Sequence, residues 1–277
     1  MLSLARGLDR RQYHLTVALP ENLEQGIDAF QQTDAKFVPL PMRKMVWGLE
    51  AIVALVRLIR DEGFDIVHIH SQEAGLLGRL VTWSAGAQTI FYTPQTLDIR
   101  RARWHRPYRL IERLLARITS AVISVNESDR RRLIDWGIPS QKVITIHNGI
   151  DLTRFDGPID VRGLRQSLEL DGGARLVMQV GRLSAQKDPL AFVEGAAQVV
   201  CQYPTAQFAL VGDGPLRDAV IARIRELGLE ECVHWLGWQR EAFRIIGAAD
   251  VVTLTSRWEG APYAVLEAMA WSRPVVA

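Results

Sequence analysis

The sequence predicts an α/β protein built from two doubly wound parallel-sheet domains in series. Short apolar runs rich in β-branched residues alternate with amphipathic stretches through most of the chain, the order that builds parallel sheets by right-handed helical crossovers. The alternation is interrupted between Asn148 and Gly173, where Asn148-Gly149 and Asp156-Gly157-Pro158 supply turn chemistry among charged residues. It then restarts and continues to the end. These observations divide the chain into domains 1–156 and 157–277. The ligand-binding strand ends of two such sheets can face each other across a cleft.

In the first half, strands are expected at Leu15–Leu19, Lys36–Leu40, Asp65–His70, Thr89–Thr93, Ala121–Val125 and Val143–His147. Helices fill most of the gaps, at Val46–Arg60, Glu73–Trp83, His105–Arg117 and Glu127–Asp135. In the second half, strands are expected at Leu176–Gly181, Gln207–Gly212, Val233–Gly237, Asp250–Thr255 and from Pro274 onward. Helices there fall near Leu190–Cys201, Leu216–Leu227 and Arg240–Ala248. No short solenoid repeat is present.

Composition narrows the function classes. The chain has 277 residues, enough for two ordinary α/β domains, and 48% apolar with 23% charged residues excludes disorder. A net charge of +2 gives no argument for nucleic acid, and no basic and aromatic platform for single strands is evident. Cys201 and Cys232 lie far apart without a CxxC or Cys/His neighbourhood, which predicts reduced thiols in a cytosolic protein. The most apolar helical stretch, Leu49–Ile59, is cut by Glu50 and Arg57 and reads as a helix packed on a sheet, not a membrane span. Met1–Arg11 lacks the apolar core of a secretory signal.

The chemistry is concentrated in Ser256–Ala277, SRWEGAPYAVLEAMAWSRPVVA. The preceding run DVVTLT suits a strand buried on both faces, and Pro262 suits a first helical position, where a missing N–H leaves nothing unpaired. Between strand and helix lie Glu259, Gly260 and Ala261, a carboxylate and two small residues where a parallel sheet offers its ligand crevice. Small residues there let backbone N–H groups approach an anion. Seven residues separate Glu259 from Glu267, so both can face one bound molecule. The plain alternative is two solvated charges.

This segment resembles the E-x7-E signature of retaining glycosyltransferases of family 4, written EGxPxxxLEAMAxGxPVVA, with Ser272 where that pattern has glycine. The resemblance implies the GT-B architecture of two Rossmann-like domains, and it extends beyond this segment. VGRLSAQKDP, Val180–Pro189, resembles the family's GRLxxxKG segment, which implies that Gly181, Arg182 and Lys187 hold the diphosphate of a sugar nucleotide. Fixed cations there stabilise a leaving group most as its charge develops. By the same resemblance Glu259 meets donor-sugar hydroxyls beside the N–H groups of Gly260 and Ala261, and Glu267 meets the ribose. LVGDGP, Leu210–Pro215, matches a family segment that reads chiefly as a structural turn, with lining of the nucleotide pocket as a secondary role for Gly212. In VHWLGW, Trp238 is a candidate for base stacking, with core packing as the alternative.

The first half carries the acceptor in this reading. DIVHIHSQEAGLLGR, Asp65–Arg79, and IHNGID, Ile146–Asp151, resemble family segments. His68 and His70 share a strand face, yet a metal pair lacks a third ligand. No metal and no further cofactor are expected, the nucleotide sugar being a co-substrate. FYTPQTLD, Phe91–Asp98, departs from the family, which commonly has histidine where this chain has Gln95. Glutamine is no base, but its amide can hydrogen-bond a sugar hydroxyl, and Gln95 joins Glu259, Arg182 and Lys187 as a candidate catalytic residue.

Arg100–Arg117 is dense in arginine with Glu112 almost alone opposing it. It reads as a solvated face, or as a surface for anionic lipid headgroups or a polyprenyl-phosphate acceptor at the cytoplasmic membrane face. Set beside the family, both ends look cut, so exposed edges, low stability and weak activity are expected of this polypeptide alone. The resulting expectation is a retaining glycosyltransferase moving a sugar from a nucleotide-sugar donor to a glycan or lipid-linked acceptor in cell-envelope polysaccharide or glycolipid biosynthesis, without nucleic-acid partners. The alternatives are a non-catalytic sugar-nucleotide-binding fragment or pseudoenzyme, and a GT-B-type epimerase, for which no dedicated acid/base pair is evident.

Overall fold

The β-branched runs become parallel strands in both halves of a computed structural model that describes residues 2–21, 33–42, 47–97, 105–157, 161–167 and 173–277. Contacts divide the chain into two units, Met1–Asn148 and Gly149–Ala277. This boundary falls earlier than the expected one at 156/157. Leu152–Phe155 forms a 3-10 turn whose Phe155 ring packs edge-on against Phe243 at 5.4 Å and Trp271 at 5.2 Å, so the core of the second unit captures it.

The first unit begins with helix α1 (Leu2–Gly7) and strand β1 (Thr16–Pro20), which pairs in parallel with β2 (Lys36–Leu40). Helix α2 (Leu49–Glu62) follows and ends at Gly63, whose φ of 61° is the left-handed stop that glycine tolerates. Then come β3 (Ile66–His70), α3 (Gln72–Ser84), β4 (Thr89–Thr93), α4 (His105–Leu115), β5 (Ala121–Ser124), α5 (Glu127–Asp135) and β6 (Val143–Thr145). β3 to β6 form a four-stranded parallel sheet in chain order. Its core holds Ile90, Tyr92, Val122, Leu133, Ile138 and Val143.

Among the described residues, the strands of this half hydrogen-bond in two groups. β1–β2 stands apart from β3–β6, and an apolar cavity of about 460 Å³ is lined by β1 on one side and β3 on the other, with α1 and α2 contributing Leu4, Leu55 and Ile59. The expected residues Val46 and Asp98, and the first part of the arginine-rich run, lie outside the described residues.

The second unit contains α6 (Val161–Ser167), β7 (Leu176–Val180), α7 (Pro189–Gln202), β8 (Gln207–Val211), α8 (Arg217–Glu226), β9 (Val233–Trp235), α9 (Ala242–Ile245), β10 (Val251–Thr253), α10 (Tyr263–Ala270) and β11 (Val275–Val276). Its five-stranded parallel sheet runs β11-β10-β7-β8-β9. Alternation along β8 sends Phe208 and Leu210 into the core under α7 and α8, while Ala209 and Val211 join Ile246, Val252 and Ala268 on the opposite face. Burial on both faces is what a doubly wound sheet requires. The strand order reverses between β7 and β10, so the loops after these two strands stand at the topological switch point of the sheet.

Candidate functional site

That reversal brings Gly181–Asp188, after β7, against Leu254–Ala261, after β10. Gln179, buried near the end of β7, donates from Nε2 to the Lys187 carbonyl at 2.8 Å. The Thr255 hydroxyl lies 3.0 Å from the same carbonyl, 2.9 Å from that of Asp188 and 3.2 Å from Gln179 Oε1. Gln186 Nε2 donates to Trp258 O at 3.1 Å, and the Arg257 N–H donates back to Gln186 O at 2.8 Å. Asp188, held in the left-handed region at φ 45°, accepts from Arg257 Nε. Both loops are therefore fixed to one another through backbone groups, and strain at Asp188 is offset by these contacts.

The clip brings two predicted residues together. Lys187 Nζ lies 2.5 Å from Glu259 Oε1, with the two side chains 19% and 18% exposed. The aliphatic stem of Lys187 covers Gly181, where an added Cβ would sit 3.4 Å from Cδ and Cε. Arg182, next in sequence, is exposed and makes no hydrogen bond or ion pair among the described residues.

The structural role of Gly212 shows in its backbone. Its φ is 136°, and a Cβ there would lie 2.0 Å from the Gly181 carbonyl oxygen, so the two strand-end loops touch backbone to backbone. The Gly181 N–H donates to Val211 O at 2.9 Å, and Trp235 Nε1 donates to Gly212 O at 2.9 Å. The side-chain direction at Gly212 is thus filled by protein. Trp238, beyond β9, is 51% exposed.

Gly260 and Ala261 lead into α10, whose N-cap is Pro262 with φ −70° and ψ 125°. The expected first helical position is taken by Tyr263 instead, because ψ at Pro262 is extended. Glu267 lies one turn beyond Tyr263 on α10, partly buried. Burial raises its carboxyl to about 6, against the opposing pull of the Arg154 guanidinium. Burial and the Glu267 charge also raise the Tyr263 phenol. Arg154 stacks over the Phe243 ring at 4.0 Å.

Gln95 belongs to the first unit. It occupies the left-handed region at φ 67°, and its Nε2 lies 3.1 Å from His70 Nδ1. His68 Nε2 lies 2.8 Å from Thr93 Oγ1, and the two imidazoles stack with centroids 4.0 Å apart. Burial depresses His68 to about 4, and burial together with His68 depresses His70 to about 3, so both rings are neutral at physiological pH. Each is engaged with a polar neighbour. No group of three or more His, Cys, Asp or Glu side chains suited to a metal ion occurs among the described residues.

Sequence reasoning missed Gln179, Thr255 and Arg154 as parts of these clusters, and it weighed His70 only as a partner of His68. A signal existed for Gln179: it is the one polar side chain in LVMQV, and an amide buried in a strand must find partners. Arg154 carried none, since its partners come from remote elements.

A family model described as Glycosyltransferase Family 4 matches residues 1–154, more than half of the chain. The chain belongs to glycosyltransferase family 4. A second family model, Glycosyl transferases group 1, matches residues 174–277 of this glycosyltransferase. The UDP-Gal:alpha-D-GlcNAc-diphosphoundecaprenol alpha-1,3-galactosyltransferase of Escherichia coli is 30% identical over 268 residues, covering 93% of this chain and 68% of that one. The putative glycosyltransferase EpsD of Bacillus subtilis (strain 168) is 25% identical, covering 88% and 67%. Among solved structures, Anabaena Alr3699/HepE in complex with UDP and glucose superposes with a TM-score of 0.80 at 24% identity, over 95% of this chain and 72% of that one. The same protein with UDP-glucose gives 0.80 at 22%. The two Rossmann-like halves of this family 4 glycosyltransferase thus have the GT-B type of fold.

Proposed function

We propose that this glycosyltransferase transfers a hexosyl group, with retention of configuration, from a UDP-sugar to a glycan or lipid-linked acceptor in polysaccharide or glycolipid biosynthesis. The observation that carries the reading is the Lys187–Glu259 pair, a cation and a carboxylate held side by side at the point where the strand order reverses. In this reading Arg182 and Lys187 take the diphosphate, Gly260 and Ala261 border it, Glu259 accepts from sugar hydroxyls and Glu267 meets the ribose. Gly181 and Gly212 shape the pocket wall. The E. coli relative, named for a UDP-Gal donor and a diphosphoundecaprenol acceptor, and the UDP complexes of HepE support a uridine donor and a lipid-linked acceptor.

The bond that breaks joins the anomeric carbon to the diphosphate oxygen, which leaves with the electron pair. The acceptor hydroxyl adds to the same face of the sugar, and its proton passes to the departing phosphate. No protein base and no metal is required, because Arg182 and Lys187 meet the charge as it develops. Loss of one charge-assisted hydrogen bond to that oxygen costs about 1.5 to 3 kcal/mol, roughly 10- to 150-fold in rate. Gln95 serves as a hydrogen-bonding group toward donor or acceptor hydroxyls. The exposed arginines of α4 support a peripheral contact of the enzyme with anionic lipid at the cytoplasmic face of the membrane, beside a lipid acceptor.

A second reading, binding without transfer, is favoured by Gln95 in place of histidine. Incubation with UDP-, GDP- and ADP-sugars and a polyprenyl-diphosphate GlcNAc acceptor tests both. The expected result is UDP release with an axially linked product by NMR. Saturable binding without product would replace the proposal by the second reading, and an altered free sugar nucleotide would assign an epimerase.

A further inference from the structure

The ammonium assigned to the diphosphate is already occupied. Lys187 Nζ contacts Glu259 Oε1 at 2.5 Å, and both side chains are mostly withdrawn from water. The backbone beneath this cation cannot shift freely, because Gln179 and Thr255 hold the Lys187 carbonyl and Gln186 is bonded to Arg257 and Trp258 of the facing loop. Its stem lies against Gly181, which closes that side. A phosphate oxygen reaching Nζ therefore meets the Glu259 carboxylate at the same ammonium and competes with it for that one positive charge.

We propose that Glu259 is the resident counter-ion of Lys187 and that their pairing makes the site discriminate a nucleotide sugar from the spent nucleoside diphosphate. This rests on the diphosphate reading of Lys187 given above. A free nucleoside diphosphate takes the ammonium and leaves a partly buried carboxylate with no partner, which opposes its binding. A nucleotide sugar takes the same ammonium but brings hydroxyl donors for the released carboxylate. Once the sugar has moved to the acceptor those donors are gone. Glu259 then recaptures Lys187 and weakens the grip on the product. Glu259 is thereby a specificity-determining residue for which ligand stays, in addition to any contact with the sugar.

The test is titration calorimetry of UDP and of inorganic pyrophosphate into the full chain and its variants. Wild type binding neither probe would overturn the diphosphate reading itself. Given binding, Glu259→Gln is expected to tighten UDP and pyrophosphate on the order of tenfold, the size of a typical coupling between sites. Glu259→Asp retains the charge but draws the carboxylate back by one methylene, so it is expected to tighten them as well. A gain with Gln and none with Asp would trace the effect to removal of negative charge and not to release of Lys187, and would overturn the proposal. In a Lys187→Met background, Glu259→Gln is expected to give no gain, since no cation remains to be freed. Unchanged or weaker UDP binding in both Glu259 variants, or an equal gain with and without Lys187, would overturn the proposal. Circular dichroism of each variant confirms that it folds, and if Glu259→Gln does not, Glu259→Asp carries the same comparison.

Discussion

At the scale of single residues, Glu267 makes the sharpest statement about pH. Burial lifts its folded carboxyl to about 6, above the ordinary value of 4.5. Between those values the folded chain holds a proton that the unfolded chain has lost. This contribution is complete below pH 4.5 and disappears as pH rises through about 6, a loss of about 2 kcal/mol. His68 and His70 act in the opposite sense, because their depressed values favour the folded state at higher pH. The difference between wild type and Glu267→Gln isolates the carboxyl: chemical denaturation from pH 4 to 7 is expected to show wild type losing about 2 kcal/mol relative to the variant. A flat difference would contradict the burial of this group. The resemblance to family 4 singled out Glu259, Glu267, Arg182 and Lys187 as candidates, and two of them, Lys187 and Glu259, stand in contact in the structure. That contact was not legible in the sequence, since it joins residues 72 apart that meet only because β10 pairs with β7.

At the scale of elements, α3 and α4 show how a segment that resembles the family's holds the scaffold. Gly75 faces the Tyr92 ring, where an added Cβ would lie 2.5 Å from the nearest ring atom, and an added Cβ at Gly78 would lie 3.3 Å from Ile69 Cγ2. The two glycines let α3 lie close on the sheet. Arg79 then stacks over Tyr92 at 3.9 Å and grips Glu112 of α4 with both carboxylate oxygens, at 2.8 and 2.9 Å, the pair almost wholly buried. The acid that seemed to oppose the arginine run is thus turned inward. Glu112→Gln is expected to destabilise the first unit by about 3 to 5 kcal/mol, since it leaves a buried guanidinium without its counter-charge. A melt unchanged from wild type would reject that burial. Outward, α4 and the turn after it present Arg106, Arg109, Arg113 and Arg117 with the exposed Leu110 and Leu114. Cosedimentation with anionic vesicles, absent with neutral ones and lost at high salt, is the expected behaviour of such a face. No pelleting under any condition would leave it a solvated surface. Strand and helix positions were readable from periodicity to within a few residues. The separation of β1–β2 from β3–β6 was not, because strand order depends on pairings that no local pattern encodes.

At the scale of the whole molecule, two units with separate cores divide the labour. The first supplies Gln95 and the basic α4, and the second supplies the diphosphate and sugar contacts in the proposed reading. A ligand that binds only the folded state raises the stability of the part it touches. Hydrogen exchange with and without saturating UDP reads this directly, amide by amide. The account predicts that UDP slows exchange in Gly181–Asp188 and in Trp258–Glu267, with the effect removed by Lys187→Met. Saturation by UDP with no protection in either segment, or protection unaffected by Lys187→Met, would contradict it.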